Sequence, residues 1–215
     1  MTTQSDTLPD LPRFAALKAL PPDYELAGRL TLESMRTLIL LNLLSVVPLL
    51  ISAACFLGID QLLNALGVRP ALTTPPTDES RLGLSLAAIV FMLVVLSLHE
   101  LCHGLAFQAF GARPHYGVNL SKGVAYASAK DYYLTRSAYL VVALAPLVII
   151  SIGTVILMAL TGGDLRFVVG LMGAINAGSS VGDLWFAAVC LSHPRTLLVR
   201  DYGDGAELFT RRSGS

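Results

Sequence analysis

The sequence predicts an all-α polytopic membrane protein: four transmembrane helices with a short cytoplasmic β-hairpin-like loop and a tail. Three observations predict this. First, of 215 residues 54% are hydrophobic and only 14% charged, an excess that a soluble core does not need. Second, residues 37–57, 83–110, 137–160 and 167–191 form four charge-poor stretches, each long enough as a helix to cross a hydrocarbon layer of about 30 Å. Third, the Lys and Arg residues between these stretches alternate in number. The segments before the first, between the second and third, and after the fourth hold 12, against 3 in the other two connections. By the positive-inside rule, both termini and the connection between spans two and three face the cytoplasm.

The expected organisation is a cytoplasmic arm (1–36), a four-span core (37–192) and a cytoplasmic tail (193–215). The arm carries nine charged residues and no apolar segment of signal-peptide type, so the first span is expected to insert uncleaved. The first external connection, "GVRPALTTPPTDESR", is rich in turn-forming Pro and Thr and offers no recognisable chemistry. The second, "ARPHYGVNLSKGVAYASAKDYYLTR", alternates Val118, Leu120, Val124 and Tyr126 around "SKG", the period of two that marks a hairpin. Five tyrosines from Tyr116 to Tyr139 fit an interfacial belt. The tail repeats the hairpin pattern around "YGDG", although an unstructured tail fits its composition equally.

Formal net charge is zero, and no Lys/Arg cluster is interleaved with aromatics, which excludes a nucleic-acid partner. Cys55, Cys102 and Cys190 all lie in apolar stretches and read as small buried hydrophobes rather than a disulfide framework. Cys102 alone falls beside ionisable residues.

Those residues are in "SLHELCHGL" at 97–105, where two histidines and a glutamate interrupt a membrane-spanning run. Burying such groups in hydrocarbon costs several kcal/mol unless they are paired or ligate something. Histidines four apart on a helix are about 40° apart around its axis, so His99 and His103 can both reach one tetrahedral metal. Glu100, about 60° from His103, is placed to take a proton from the attacking water as a general base. The other two histidines, His115 and His193, lie outside the spans and read as loop residues.

A catalytic zinc usually takes three protein ligands. Asp183 is the only other acid inside the predicted spans, and it lies at the same depth as His99 and His103, roughly 12 to 14 Å from the cytoplasmic helix ends. In "NAGSSVGDLW", Asn176, Ser180 and Asp183 form one polar stripe, while Ala174, Gly178 and Gly182 form an opposite small face suited to close helix packing. Asn176 and Ser180 are candidate substrate-binding groups, Asn176 as a donor to a substrate carbonyl; simple interhelical hydrogen bonding is the alternative. Pro146, midway along the third span, frees a backbone carbonyl and predicts a kink.

On "HELCHGLAFQAFG", "YLVVALAPL" and "NAGSSVGDLW", the chain resembles the site-2 protease class of intramembrane zinc metallopeptidases, and most closely a family of zincin-type membrane peptidases. The resemblance runs from about residue 82 onward. It implies Zn2+ held by His99, His103 and Asp183, Glu100 as catalytic base, and a site on the cytoplasmic side. It differs from the better-studied branches, whose aspartate stands in a Leu-Asp-Gly sequence; here it stands in "VGDLW". The expected function is hydrolysis of peptide bonds in membrane-associated protein or peptide substrates, in the cell membrane of a prokaryote. The alternatives are a non-catalytic membrane scaffold retaining zinc and an ion or metal transporter.

Overall fold

The computed structural model describes residues 11–32, 34–73, 78–119 and 124–212. Its frame is helical: α1 (Met35–Ala65), α2 (Asp78–Ala109), α3 (Arg136–Leu160), α4 (Gly163–Ser179) and α5 (Val181–Ser192). Among the described residues three helices, α1, α2 from Ile89 onward and α3, are long and apolar enough to cross a membrane. The pair α4 and α5 makes a fourth if it is counted as one span, bent by 44°. Exposed leucine, isoleucine and valine cover the outer faces of α1, α2 and α3, as lipid-facing helices require.

The bend falls at Ser180, inside a stretch that reads as one continuous span in the sequence. The Ser179 and Ser180 hydroxyls both donate to the Asn176 carbonyl, at 2.8 and 2.9 Å, and such back-bonding beside glycine loosens a helix. Of the small face expected of this segment, Gly178 meets α1, whereas Gly182 has open space beside it and lines the cavity described below. A Cβ on Gly178 would lie 3.1 Å from Leu49 Cβ, and one on Gly173 2.8 Å from the Phe56 ring. At the far end, α1 continues past the predicted limit of residue 57 to Ala65. There Asp60 and Asn64 accept from the buried Arg166 guanidinium, at 3.2 and 2.8 Å.

The chain is mostly helical rather than all-α, and this corrects the sequence reading. Strands β1 (Ala16–Leu17), β2 (Tyr24–Thr31), β6 (Tyr133–Thr135), β8 (Leu198–Asp201) and β9 (Gly205–Arg211) form an antiparallel sheet in the order β1-β6-β8-β9-β2. The segment expected as a plain arm therefore supplies two strands, and β2 pairs along the tail strand β9 from Tyr24↔Arg211 to Thr31↔Gly205. Two shorter pairs complete the set: parallel β3 (Leu72–Thr73) with β7 (Thr161–Gly162), and antiparallel β4 (His115–Asn119) with β5 (Val124–Ser128). The hairpins expected around "SKG" and "YGDG" are β4–β5 and β8–β9.

Alternation along β8 explains why the sheet sits against the helices. Leu197 and Val199 enter the core shared with Phe107, Tyr139, Val142, Phe186 and Cys190, while Leu198 turns to the opposite face with Tyr24 and Phe209. Glu207 accepts charge-assisted contacts from Arg29 on β2, at 3.1 Å, and Arg200 on β8, tying the three strands across their register.

Candidate metal centre

The sheet and the bent helix pair converge on one end of α2, where the ionisable residues of the sequence motif lie. His99 and His103, four apart on α2, stack edge to face with ring centroids 5.0 Å apart. Asp183, in the first turn of α5, faces both: its carboxylate oxygens lie 3.2 Å from His99 Nε2 and 3.3 Å from His103 Nε2. One ligand atom from each of the three residues falls within 4.8 Å of the other two. Both imidazoles are buried.

The far nitrogens decide which atoms are free. His103 Nδ1 lies 2.9 Å from the Val142 carbonyl, an obligate acceptor, so that nitrogen carries the proton. His99 Nδ1 lies 3.0 Å from Asn176 Oδ1, and the same amide donates through Nδ2 to the Pro146 carbonyl at 3.4 Å, which fixes its orientation. With both Nδ1 atoms donating, each neutral imidazole presents an Nε2 lone pair to a carboxylate oxygen. Lone pairs facing lone pairs in a buried site are relieved by a positive charge between them, either a metal ion or a proton on the imidazoles, and Asp183 Oδ2 has no other hydrogen-bond donor among the described residues. Two imidazoles and a carboxylate, with the imidazoles oriented by outer hydrogen bonds, fit a zinc ion.

The Val142 carbonyl is free because Pro146, four residues later, has no N–H to give it. The proline seen in the sequence thus serves the site through a carbonyl, one turn earlier than its own position.

Glu100 stands beside the centre. Its Oε2 accepts the Ala127 backbone N–H of β5 at 2.7 Å, so the carboxylate is held between α2 and the hairpin. A cavity of about 160 Å³ opens here, lined by His99, Glu100, His103 and Asp183 from the helices, Ala125 to Ala127 from β5, and Asp201 and Gly203 from the tail. Neither Asn176 nor Ser180 lines it: Asn176 stands behind His99, and the Ser180 hydroxyl is spent on its own helix. Cys102 is buried and also stands outside the lining. Away from the site, His115 makes a long exposed contact of 3.7 Å with Asp131, and His193 Nδ1 lies 2.8 Å from the Val189 carbonyl at the end of α5.

Sequence reasoning missed Asp201 and Tyr139. The Tyr139 hydroxyl donates to Asp201 Oδ2 at 3.0 Å, and the Gly203 N–H donates to Asp201 Oδ1 at 2.8 Å. Burial pushes the Asp201 carboxyl up to about 6, against the opposing pull of those two hydrogen bonds. No local signal marks Asp201, because its place depends on the sheet that carries the tail back onto the helices.

These features describe a mostly helical protein with three or four helices apolar enough to cross a membrane and a candidate three-ligand metal site closed by a small sheet. Residues 92–198 match the family model described as "Putative zincin peptidase", a span that contains His99, Glu100, His103 and Asp183 but not Asp201. The match supports a zincin-type peptidase family, and with it zinc and metallopeptidase activity. No curated protein and no solved structure matches the chain.

Proposed function

We propose that the chain is an intramembrane zinc metallopeptidase that hydrolyses peptide bonds of membrane-associated protein or peptide substrates. The observation that carries this reading is the pair of Nε2 atoms turned onto Asp183 by outer hydrogen bonds, with Glu100 on the same cavity wall. Zinc at such a site supplies Lewis acidity toward a carbonyl and toward water. Asp183, His99 and His103 would hold it, and the hydrogen bonds to the Val142 carbonyl and the Asn176 amide would keep the imidazoles in the ligating tautomer. Glu100 takes the proton of the attacking water and delivers it to the leaving amine nitrogen.

The hairpin offers the grip. Because the Ala127 N–H points to Glu100 and not to β4, the backbone groups of Ala125 and Ala127 form the free edge of β5, and both residues line the cavity. An extended substrate added to that edge would pass its carbonyls in front of Glu100. The span-by-span alternation of Lys and Arg supports a cytoplasmic sheet and site, and the β2–β9 pairing supports both chain ends on that side.

Base and ligand should fail differently in purified, detergent-solubilised protein. Glu100→Gln keeps size and hydrogen-bonding reach but cannot accept the proton, so zinc stays near wild-type occupancy while hydrolysis falls by about two to four orders of magnitude. Asp183→Ala loses zinc and activity together. A scaffold would tolerate Glu100→Gln, and a transporter would keep flux without hydrolysis; full peptidase activity in Glu100→Gln, or no stoichiometric zinc in the wild type, refutes the proposal.

A further inference from the structure

A second and larger cavity, of about 510 Å³, lies between the sheet and the helix ends and shares no lining residue with the metal centre. It is lined by Arg13, Arg136, Arg195 and Arg211, and among the described residues no acidic side chain lines it. In a chain of zero formal net charge with 15 Lys and Arg, four arginines around one cavity is a strong local concentration. Asp23 offsets one of them, lying 3.3 Å from Arg211 Nε. The rest of the positive field stands: Arg136 Nε is buried without a partner among the described residues, and its Nη2 donates to the Leu191 carbonyl at 3.2 Å.

The cavity is placed on the helix surface by the geometry of α3. Arg136, Ser137 and Leu140 of its first turns line this cavity, while Tyr139, Val142 and Ala143 line the metal centre. At 100° per residue the centres of these two sets lie about 110° apart around the axis, so the cavities open on different, neighbouring faces of the helix. The N-terminus of this 25-residue helix adds its own positive end. Leu140 and Leu191 form the apolar wall, and Leu191 continues onto the exposed surface of α5. Cationic groups at helix ends with an apolar wall leading onto the bundle match a ligand that is anionic at one end and hydrocarbon at the other.

We propose that this cavity binds the phosphate-bearing headgroup of an anionic phospholipid at the sheet-bearing membrane face. The arginines take the phosphate oxygens, bidentate where two N–H groups are presented, and the acyl chains run along α3 and α5 from Leu140 and Leu191. The inference is independent of peptidase activity.

The test uses the full chain in nanodiscs of mixed phosphatidylglycerol and phosphatidylcholine, released for native mass spectrometry, with retained lipid counted per protein. Phosphatidylglycerol should be retained about tenfold or more above its share in the bilayer, and less so as ionic strength rises. Arg13 and Arg195 are the exposed members, so R13Q/R195Q leaves the packed Arg136 intact. At roughly fivefold in affinity per arginine, this variant should bring retention down to about the lipid's share in the bilayer. Unchanged zinc content and circular dichroism show that the variant is folded; where R13Q/R195Q loses either, R195Q alone is read for its fivefold step. Retention in proportion to bilayer composition, or enrichment equal in wild type and folded variant, overturns the proposal. Saturation by glycerol phosphate without phosphatidylglycerol enrichment also overturns it, and assigns the cavity to a soluble phosphoester instead.

Discussion

His103 depends on an atom that Pro146 makes available. An alanine at 146 would restore an N–H that competes for the Val142 carbonyl, so His103 Nδ1 would have to share its acceptor with the helix. Losing such an outer partner costs about 10- to 100-fold in metal affinity, so Pro146→Ala should weaken zinc by that factor in a competition titration while leaving helix content unchanged. Unaltered affinity would show that the kink and not the carbonyl explains the proline. Asp201 yields a prediction in pH. Its folded value of about 6 is above the ordinary carboxylate value of 3.8, so the native state favours the protonated form. The wild type therefore carries no penalty below about pH 4, loses stability as pH rises to 6, and bears the full penalty above it. The groups facing it are Tyr139, His103 and Asp183, so metal-free protein is the sample. Thermal unfolding of Asp201→Asn should gain on wild type between pH 4 and 6, and parallel curves would contradict the assignment. At this scale the sequence was informative where chemistry is local. The spacing of His99 and His103, and the isolation of Asp183 in an apolar run, pointed to residues the fold does bring together. Asn176 was visible as a polar group, but whether it faces substrate or imidazole depends on helix rotation, which a wheel does not supply.

The hairpin is docked by side chains that fill glycine notches. Tyr116 of β4 occupies the space a Cβ would need at Gly104, the residue after His103, and Tyr126 of β5 occupies that space at Gly203 in the β8–β9 turn. Gly203 also holds φ +100°, which an L side chain rarely adopts. Gly203→Ala should destabilise the protein by about 1–3 kcal/mol and shift the hairpin, seen as faster limited proteolysis after Lys130. Gly104→Ala should expel Tyr116 with no backbone strain, and equal proteolysis in wild type and Gly104→Ala would show that Tyr116 is not an anchor. Ala125→Pro tests the substrate edge: it removes a donor that β4 does not use, so zinc should be retained while cleavage falls. Strands β8 and β9 were only half legible: turn residues separate two apolar runs, but an unstructured tail fitted the composition equally. Strand β2 was not, since along Tyr24–Thr31 only Tyr24 is buried and no alternation marks it. Its partner β9, buried from Gly205 to Phe209, supplies the driving force. The break at Ser180 left the hydrophobic count of the fourth stretch unchanged, and only the Gly-Ser run signalled it.

For the whole molecule, the proposed topology predicts opposite accessibility of the two ends of the helices. Cysteines placed at Arg69 and Arg212, both exposed, should be labelled from opposite sides of sealed vesicles in a background without the native cysteines. Labelling of both from one side would remove the even number of crossings on which the topology rests. The pairing of β2 with β9 also has a consequence for the order of events during synthesis. Leu32 follows β2 directly, yet the cavity it lines waits for Asp183, Asp201 and Gly203, and Asp183 leaves the ribosome 80 residues after His103. At a translation rate of about 5–20 residues per second, the two imidazoles spend on the order of 4–16 s without their carboxylate. The sheet closes later still, through contacts among the most distant in the chain, the kind that form slowly. A nascent chain thus holds no complete set of candidate metal ligands while it is being inserted, and the cavity around them closes only with the last described strand.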